Sequence, residues 1–123
     1  MRYVYLANIE GTDIYKIGFS KEPKKRIKSL QTGNSKKINL IHSFKTEKAT
    51  KVESVLHRKF NFCKKDSIDG NKLIGEWFEL AEGQAESFIA SCKLIDTGLK
   101  VADGDIETEM LYQERVGGKK RKF

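Results

Sequence analysis

Two runs of aromatic and branched side chains, Arg2-Tyr-Val-Tyr-Leu-Ala-Asn-Ile9 and Ile14-Tyr-Lys-Ile-Gly-Phe19, are separated only by Glu10-Gly11-Thr12-Asp13. Such runs favour the pleated, half-buried surface of a sheet, and a short polar turn containing glycine joins neighbouring antiparallel strands. The chain therefore has to begin with a hairpin, and everything that follows must cover the apolar surface that the hairpin exposes.

The next segments supply that cover. Ser20 offers a cap, Glu22 and Pro23 suit a first helical turn, and Ile27 and Leu30 repeat at helical spacing before Thr32-Gly33-Asn34 stops the helix, so a basic amphipathic helix is predicted over about 22–32. Residues 38–46 read as a third strand, and 48–60 as a second helix with Ala49, Val52, Leu56 and Phe60 on one stripe. Residues 61–75 lack a period and read as a loop; Glu76–Leu80 alternates like a short closing strand; and 82–95 carries Ala85, Phe88, Ile89 and Cys92 at helical spacing. The pattern weakens after Thr97-Gly98, leaving a polar segment over 105–115 and a flexible basic tail, GGKKRKF. The fold class expected is α+β, with helices packed on a small antiparallel or mixed sheet of three to four strands. With 123 residues the chain fits one domain, set over 1–95, with a C-terminal extension over 96–123.

Charge is distributed unevenly. Residues 1–65 carry 16 Lys and Arg against 5 Asp and Glu, whereas residues 66–115 carry 4 against 12, and the last eight residues add four cations. The basic front half suits a phosphate-bearing partner, although lysines also keep a domain soluble. Cys63 and Cys92 form no C-x-x-C pair, which argues against a zinc site or a disulfide framework and suits a reducing compartment. No run of about 18 apolar residues occurs, so a soluble protein of the cytoplasm is expected, with no membrane partner.

Several side chains have more than one reading. Tyr3 and Tyr5 share one face of the first strand, and Lys16 and Gly18 one face of the second. A lysine there can be the solvated side of a hairpin. Arg26 lies one turn from both Pro23 and Leu30 and leans toward the buried stripe, where its planar fork suits a phosphate; Lys24, Lys25 and Lys28 point away and suit non-specific contacts to DNA. Glu53, at the edge of the second helix's apolar stripe, is either a salt-bridge partner or a carboxylate for a hard cation. His57 is a base, a phosphate donor or a core histidine, and Glu76 either serves a site or ends a loop.

Taken in order, Tyr5, Lys16-Ile17-Gly18, Arg26, Leu30-Gln31-Thr32-Gly33-Asn34, Glu53-Ser54-Val55-Leu56-His57 and Gly75-Glu76-Trp77-Phe78 resemble the GIY-YIG nuclease superfamily, particularly its branch of small phage and bacterial proteins. The resemblance spans roughly residues 3–80. It implies a three-stranded antiparallel sheet flanked by helices and metal-dependent hydrolysis of DNA phosphodiesters. By the same resemblance Tyr5 holds the first-motif tyrosine position, Lys16 the second, Arg26 the helix arginine and Glu53 the metal-binding glutamate, with Mg²⁺ or Mn²⁺ as cofactor; His57 and Glu76 match positions particular to the branch. The first motif here is Tyr3-Val4-Tyr5 rather than Gly-Ile-Tyr, Lys16 replaces a tyrosine, and Phe60-Asn61-Phe62 lacks the Pro that precedes an asparagine in many relatives. Lys16, across the hairpin, is expected to ease ionisation of Tyr5, which would activate water while Arg26 holds the phosphate and a cation on Glu53 stabilises the leaving oxygen. Two other expectations stand beside this one: a DNA-binding module without catalysis, and a protein-interaction domain working through the acidic 66–115 segment.

Overall fold

A computed structural model describes residues 2–102; the polar segment at 105–115 and the basic tail lie outside the described residues. The hairpin forms as expected from β1 (Arg2–Ile9) and β2 (Ile14–Ser20). Its turn is locked locally: Gly11 takes a positive φ of 78°, the Thr12 hydroxyl donates to the Ile9 carbonyl, and the Asn8 side-chain amide donates to the Thr12 and Ile14 carbonyls. Then follow α1 (Pro23–Gln31), β3 (Ile38–Thr46) and α2 (Ala49–Lys59), all within a residue or so of the sequence reading.

The region after α2 differs from that reading. In place of a loop over 61–75, a single 3-10 turn leads into β4 (Lys64–Ile68), and β5 (Asn71–Glu79) is longer than the five-residue strand expected. Asp69 and Gly70 both adopt positive φ, 50° and 80°, and link Ile68 to Asn71 as a tight hairpin. The sheet therefore has five antiparallel strands in the order β3-β1-β2-β5-β4, not three or four. The helix expected over 82–95 is also split and extended, into α3 (Glu82–Glu86) and α4 (Phe88–Ala102).

Helices cover both faces of this sheet, which is why Val4, Tyr5, Leu6 and Ala7 are all buried instead of alternating. On one face Val4, Leu6 and Ile17 pack with Val52 and Leu56 of α2, with Phe60 just after it, and with Phe88 and Cys92 of α4. On the other, Tyr5, Ala7, Ile9 and Trp77 pack with Ile27 of α1. Each large apolar side chain so buried contributes about 1.5–3 kcal/mol. Burial also pushes the Cys92 thiol up to about 12, so it stays an inert core group.

α4 runs through Asp96-Thr97-Gly98 because Asp96 is satisfied inside the fold. The Thr46 hydroxyl donates to one of its carboxylate oxygens, and Lys100 pairs with it at 3.2 Å. Thr46 Oγ1 also accepts the Lys48 N–H at 3.0 Å, tying the start of α2 to α4. Thr46→Val removes both bonds and leaves a buried carboxylate short of a donor; its unfolding free energy, read by denaturant titration, is expected to fall by about 1–3 kcal/mol.

Candidate functional site

The site is built where the sheet forks. Antiparallel pairing of β2 with β5 covers only Ile14, Tyr15 and Lys16, opposite Glu79, Phe78 and Trp77, after which β5 leaves. The main-chain groups of Ile17 and Phe19 that would have continued the ladder are taken instead by α2. His57 Nε2 donates to the Ile17 carbonyl at 2.7 Å, and the Glu53 carboxylate accepts the Phe19 N–H. Satisfying two orphaned backbone groups fixes the pitch of α2 against β2 and lodges Glu53 in the fork.

Glu53 is only 18% exposed, and His57 Nδ1 stands 3.9 Å from its Oε1. Burial raises the Glu53 pKa above the usual carboxylate range; His57 and Lys16 counteract this, Glu76 adds to it, and the Phe19 N–H opposes it. The cost of burying the Glu53 carboxylate is thus only partly offset by the groups around it.

Lys16 is not on a solvated face. It is 8% exposed, with Nζ 5.6 Å from the centre of the Trp77 ring. Its ammonium lies against Gly75, whose φ of 94° favours glycine and where a Cβ would come within 2.7 Å of Nζ and push the lysine end group aside. Burial lowers the Lys16 pKa and Arg26 lowers it further, while Glu53 and Glu76 hold it up.

Tyr5 sits across from Gly18, not Lys16, which pairs with Ala7. The expectation gave Lys16 the part of easing Tyr5 ionisation; here the cation that acts on the Tyr5 hydroxyl is Arg26. Burial raises the Tyr5 pKa above 10.0, and the group that opposes the rise is Arg26, through a hydrogen bond to the hydroxyl and its charge. Arg26 itself is exposed, reaching across from α1. The Tyr5 ring lies flat over Gly18: a Cβ there would stand 2.6 Å from the Tyr5 hydroxyl oxygen and 2.7 Å from its ring carbon. Because the ring is fully buried it has nowhere to retreat. Gly18→Ala is therefore expected to cost about 1–3 kcal/mol of stability, seen as a lower thermal midpoint.

Tyr5, Lys16, Arg26 and Glu53, drawn from β1, β2, α1 and α2, thus form one electrostatically connected cluster, with His57 bracing Glu53. Glu76 joins from β5 through its effect on Lys16 and Glu53, and its own carboxylate pairs with Lys64 at 3.0 Å. Lys24, Lys25 and Lys28 stay outside the cluster on exposed turns of α1, Lys25 pairing with Glu22 at 3.4 Å. The sequence reading missed Lys72, Ile74 and the wall made by Asn34, which line a cleft of about 330 Å³ beside Lys16 and Arg26. Only the glycines at 18 and 75, each next to a charged or aromatic residue in a strand, could have marked the close approaches.

Among the described residues no three His, Cys, Asp or Glu side chains gather as a metal cage. A single penalised carboxylate with a second acid nearby fits a hard cation that keeps most of its water and takes few protein ligands. No helix among the described residues is long and apolar enough to cross a membrane.

No curated protein and no solved structure matches the chain. The family model of the T5orf172 domain matches residues 2–93, the span that holds all five strands and every residue of the cluster. The chain thus belongs to the T5orf172 domain family, a family related to the GIY-YIG nucleases.

Proposed function

We propose that this protein is a DNA endonuclease that hydrolyses phosphodiester bonds with the help of one divalent cation, Mg²⁺ or Mn²⁺. The observation that carries the reading is the convergence of Tyr5, Lys16, Arg26 and Glu53 at the fork between β2 and β5, in a domain whose family is related to nucleases. Arg26 binds a non-bridging phosphate oxygen, where its fork supplies two parallel N–H donors, and stabilises the negative charge that builds on the phosphoryl group. Tyr5 keeps its proton at neutral pH and orients the attacking water through its hydroxyl. Lys16, its diagonal neighbour across the hairpin, adds a second positive charge beside the phosphate, and the proton that the water loses passes to solvent. The water oxygen bonds to phosphorus, the bond to the 3′ oxygen breaks, and the leaving oxygen is protonated from solvent. Glu53 would hold the cation, with Glu76 as the nearer of the other acids, and a bound cation supplies positive charge for the leaving oxygen. His57 acts as a positioning residue for Glu53.

The test is cleavage of supercoiled plasmid, of branched duplexes and of single strands with Mg²⁺ or Mn²⁺, arrested by chelator. Absence of cleavage on all three substrates with either ion overturns the reading and leaves a DNA-binding module that grips phosphate with the same cations.

A further inference from the structure

The cleft beside Lys16 and Arg26 does not end there. It shares Gly33, Asn34, Lys72 and Leu73 with a second hollow of about 390 Å³ that continues to Ile9, Lys36 and Ile68. The two form one trough running away from the cluster, with the turn after α1 as one wall and β5 as the other. Four cations line it, Lys16, Arg26, Lys72 and Lys36, and no acidic side chain does. Lys36 is partly neutralised by Asp69 at 3.1 Å, but Lys72 has no acidic partner among the described residues. Ile74, 87% exposed, stands on the β5 wall between Lys72 and Gly75, an apolar surface beside a row of charges.

We propose that this trough is the path of an unpaired DNA strand, so that the preferred substrate carries single-stranded DNA next to the bond that is cut. The inference rests on the nuclease reading for the position of the scissile phosphate. A groove lined by cations without acids tracks a phosphate backbone, as in proteins that hold single strands without sequence readout, and the exposed Ile74 beside it offers apolar contact to unstacked bases. Each hollow lies near the lower end of the volumes that hold small ligands, about 300–1,000 Å³, room for nucleotide-sized groups in succession. A paired helix is far bulkier than hollows of about 330 and 390 Å³ and can only lie across the mouth of the trough.

Gly33 gives a clean way to block the path. It lines both hollows, its backbone lies outside the left-handed region, and a Cβ there would meet no atom within 4 Å, so a side chain can be added without disturbing the fold. In the full chain carrying Glu53→Gln, with chelator, binding of a fluorescent oligothymidylate and of a blunt duplex of equal length is measured by anisotropy. Adding Gly33→Glu is expected to weaken oligothymidylate binding by about tenfold or more and duplex binding by no more than about twofold. Lys72→Ala is expected to reduce the salt dependence of oligothymidylate binding by about one unit in the log–log slope. Equal losses on both probes, or no loss on either, overturn the proposal. Because binding is read without cleavage, selective loss of single-strand binding in a protein that cuts nothing would retain the trough and reject the nuclease reading, and the opposite pattern would do the reverse.

Discussion

Glu53→Gln is expected to reduce divalent-dependent cleavage to background and, at the same time, to make the protein more stable at neutral pH. The loss of cleavage follows from removing the carboxylate that would hold the cation, while the amide oxygen can still accept the Phe19 N–H and keep α2 in place. The gain in stability follows from the raised pKa. Below about pH 4.5 the side chain is protonated in both the folded and the unfolded chain and costs nothing. As pH rises above 4.5 the unfolded chain ionises before the folded one, so stability falls until the raised native value is passed. In chelator, the thermal midpoint of Glu53→Gln should therefore exceed that of the parent at pH 7 and match it near pH 4. Full nicking activity in this variant would falsify the assignment of Glu53, and a lower midpoint at pH 7 would show that the carboxylate is a structural ion-pair partner instead.

Arg26→Ala should behave differently: a loss of about 10²–10³ in cleavage rate, the size seen when one preorganised donor to a developing charge is removed, with little change in stability. Arg26 is exposed, so losing its side chain should cost no more than its hydrogen bond to the Tyr5 hydroxyl, about 0.5–1.5 kcal/mol. Arg26→Lys should recover only part of the rate, because an ammonium is a point charge that cannot form two parallel bonds to phosphate. The guanidinium is also what restrains the Tyr5 pKa, so its removal should make Tyr5 harder still to ionise. Undiminished cleavage by Arg26→Ala would place the phosphate elsewhere.

Much of this geometry could be read from the chain, and the parts that could not have physical causes. The first hairpin reads as near-continuous apolar runs because both its faces are covered, the two following helices and β3 carry apolar periodicity because each buries a face, and the helical periodicity set Arg26 and Glu53 at the margins of their stripes. The second hairpin is different. Asp69-Gly70 is a favoured two-residue turn, but the flanking Lys64-Lys-Asp-Ser-Ile68 and Asn71-Lys-Leu-Ile-Gly75 are mostly polar, since β4 is an edge strand and this stretch of β5 walls an open trough. Without apolar alternation the turn had no strands to join. α4 was cut short for the opposite reason: a buried aspartate followed by Thr-Gly looks like a helix end, and the partner that satisfies it, Thr46, lies 50 residues earlier. The Tyr5 environment was misjudged because facing residues in a hairpin depend on register, and the turn sets Tyr5 against Gly18.

The fork between β2 and β5 has a further consequence. Bare strand edges invite other chains to add to a sheet, and proteins usually guard them with bulges, prolines or outward charges. Here the gap lies inside the sheet, beside its central strand, and its stoppers are the imidazole of His57 and the carboxylate of Glu53, placed on the Ile17 carbonyl and the Phe19 N–H that an intruding strand would grip. The acid at the heart of the proposed chemistry therefore also guards the protein against self-association, and a variant that empties the fork of both side chains exposes a template for aggregation as well as losing a site.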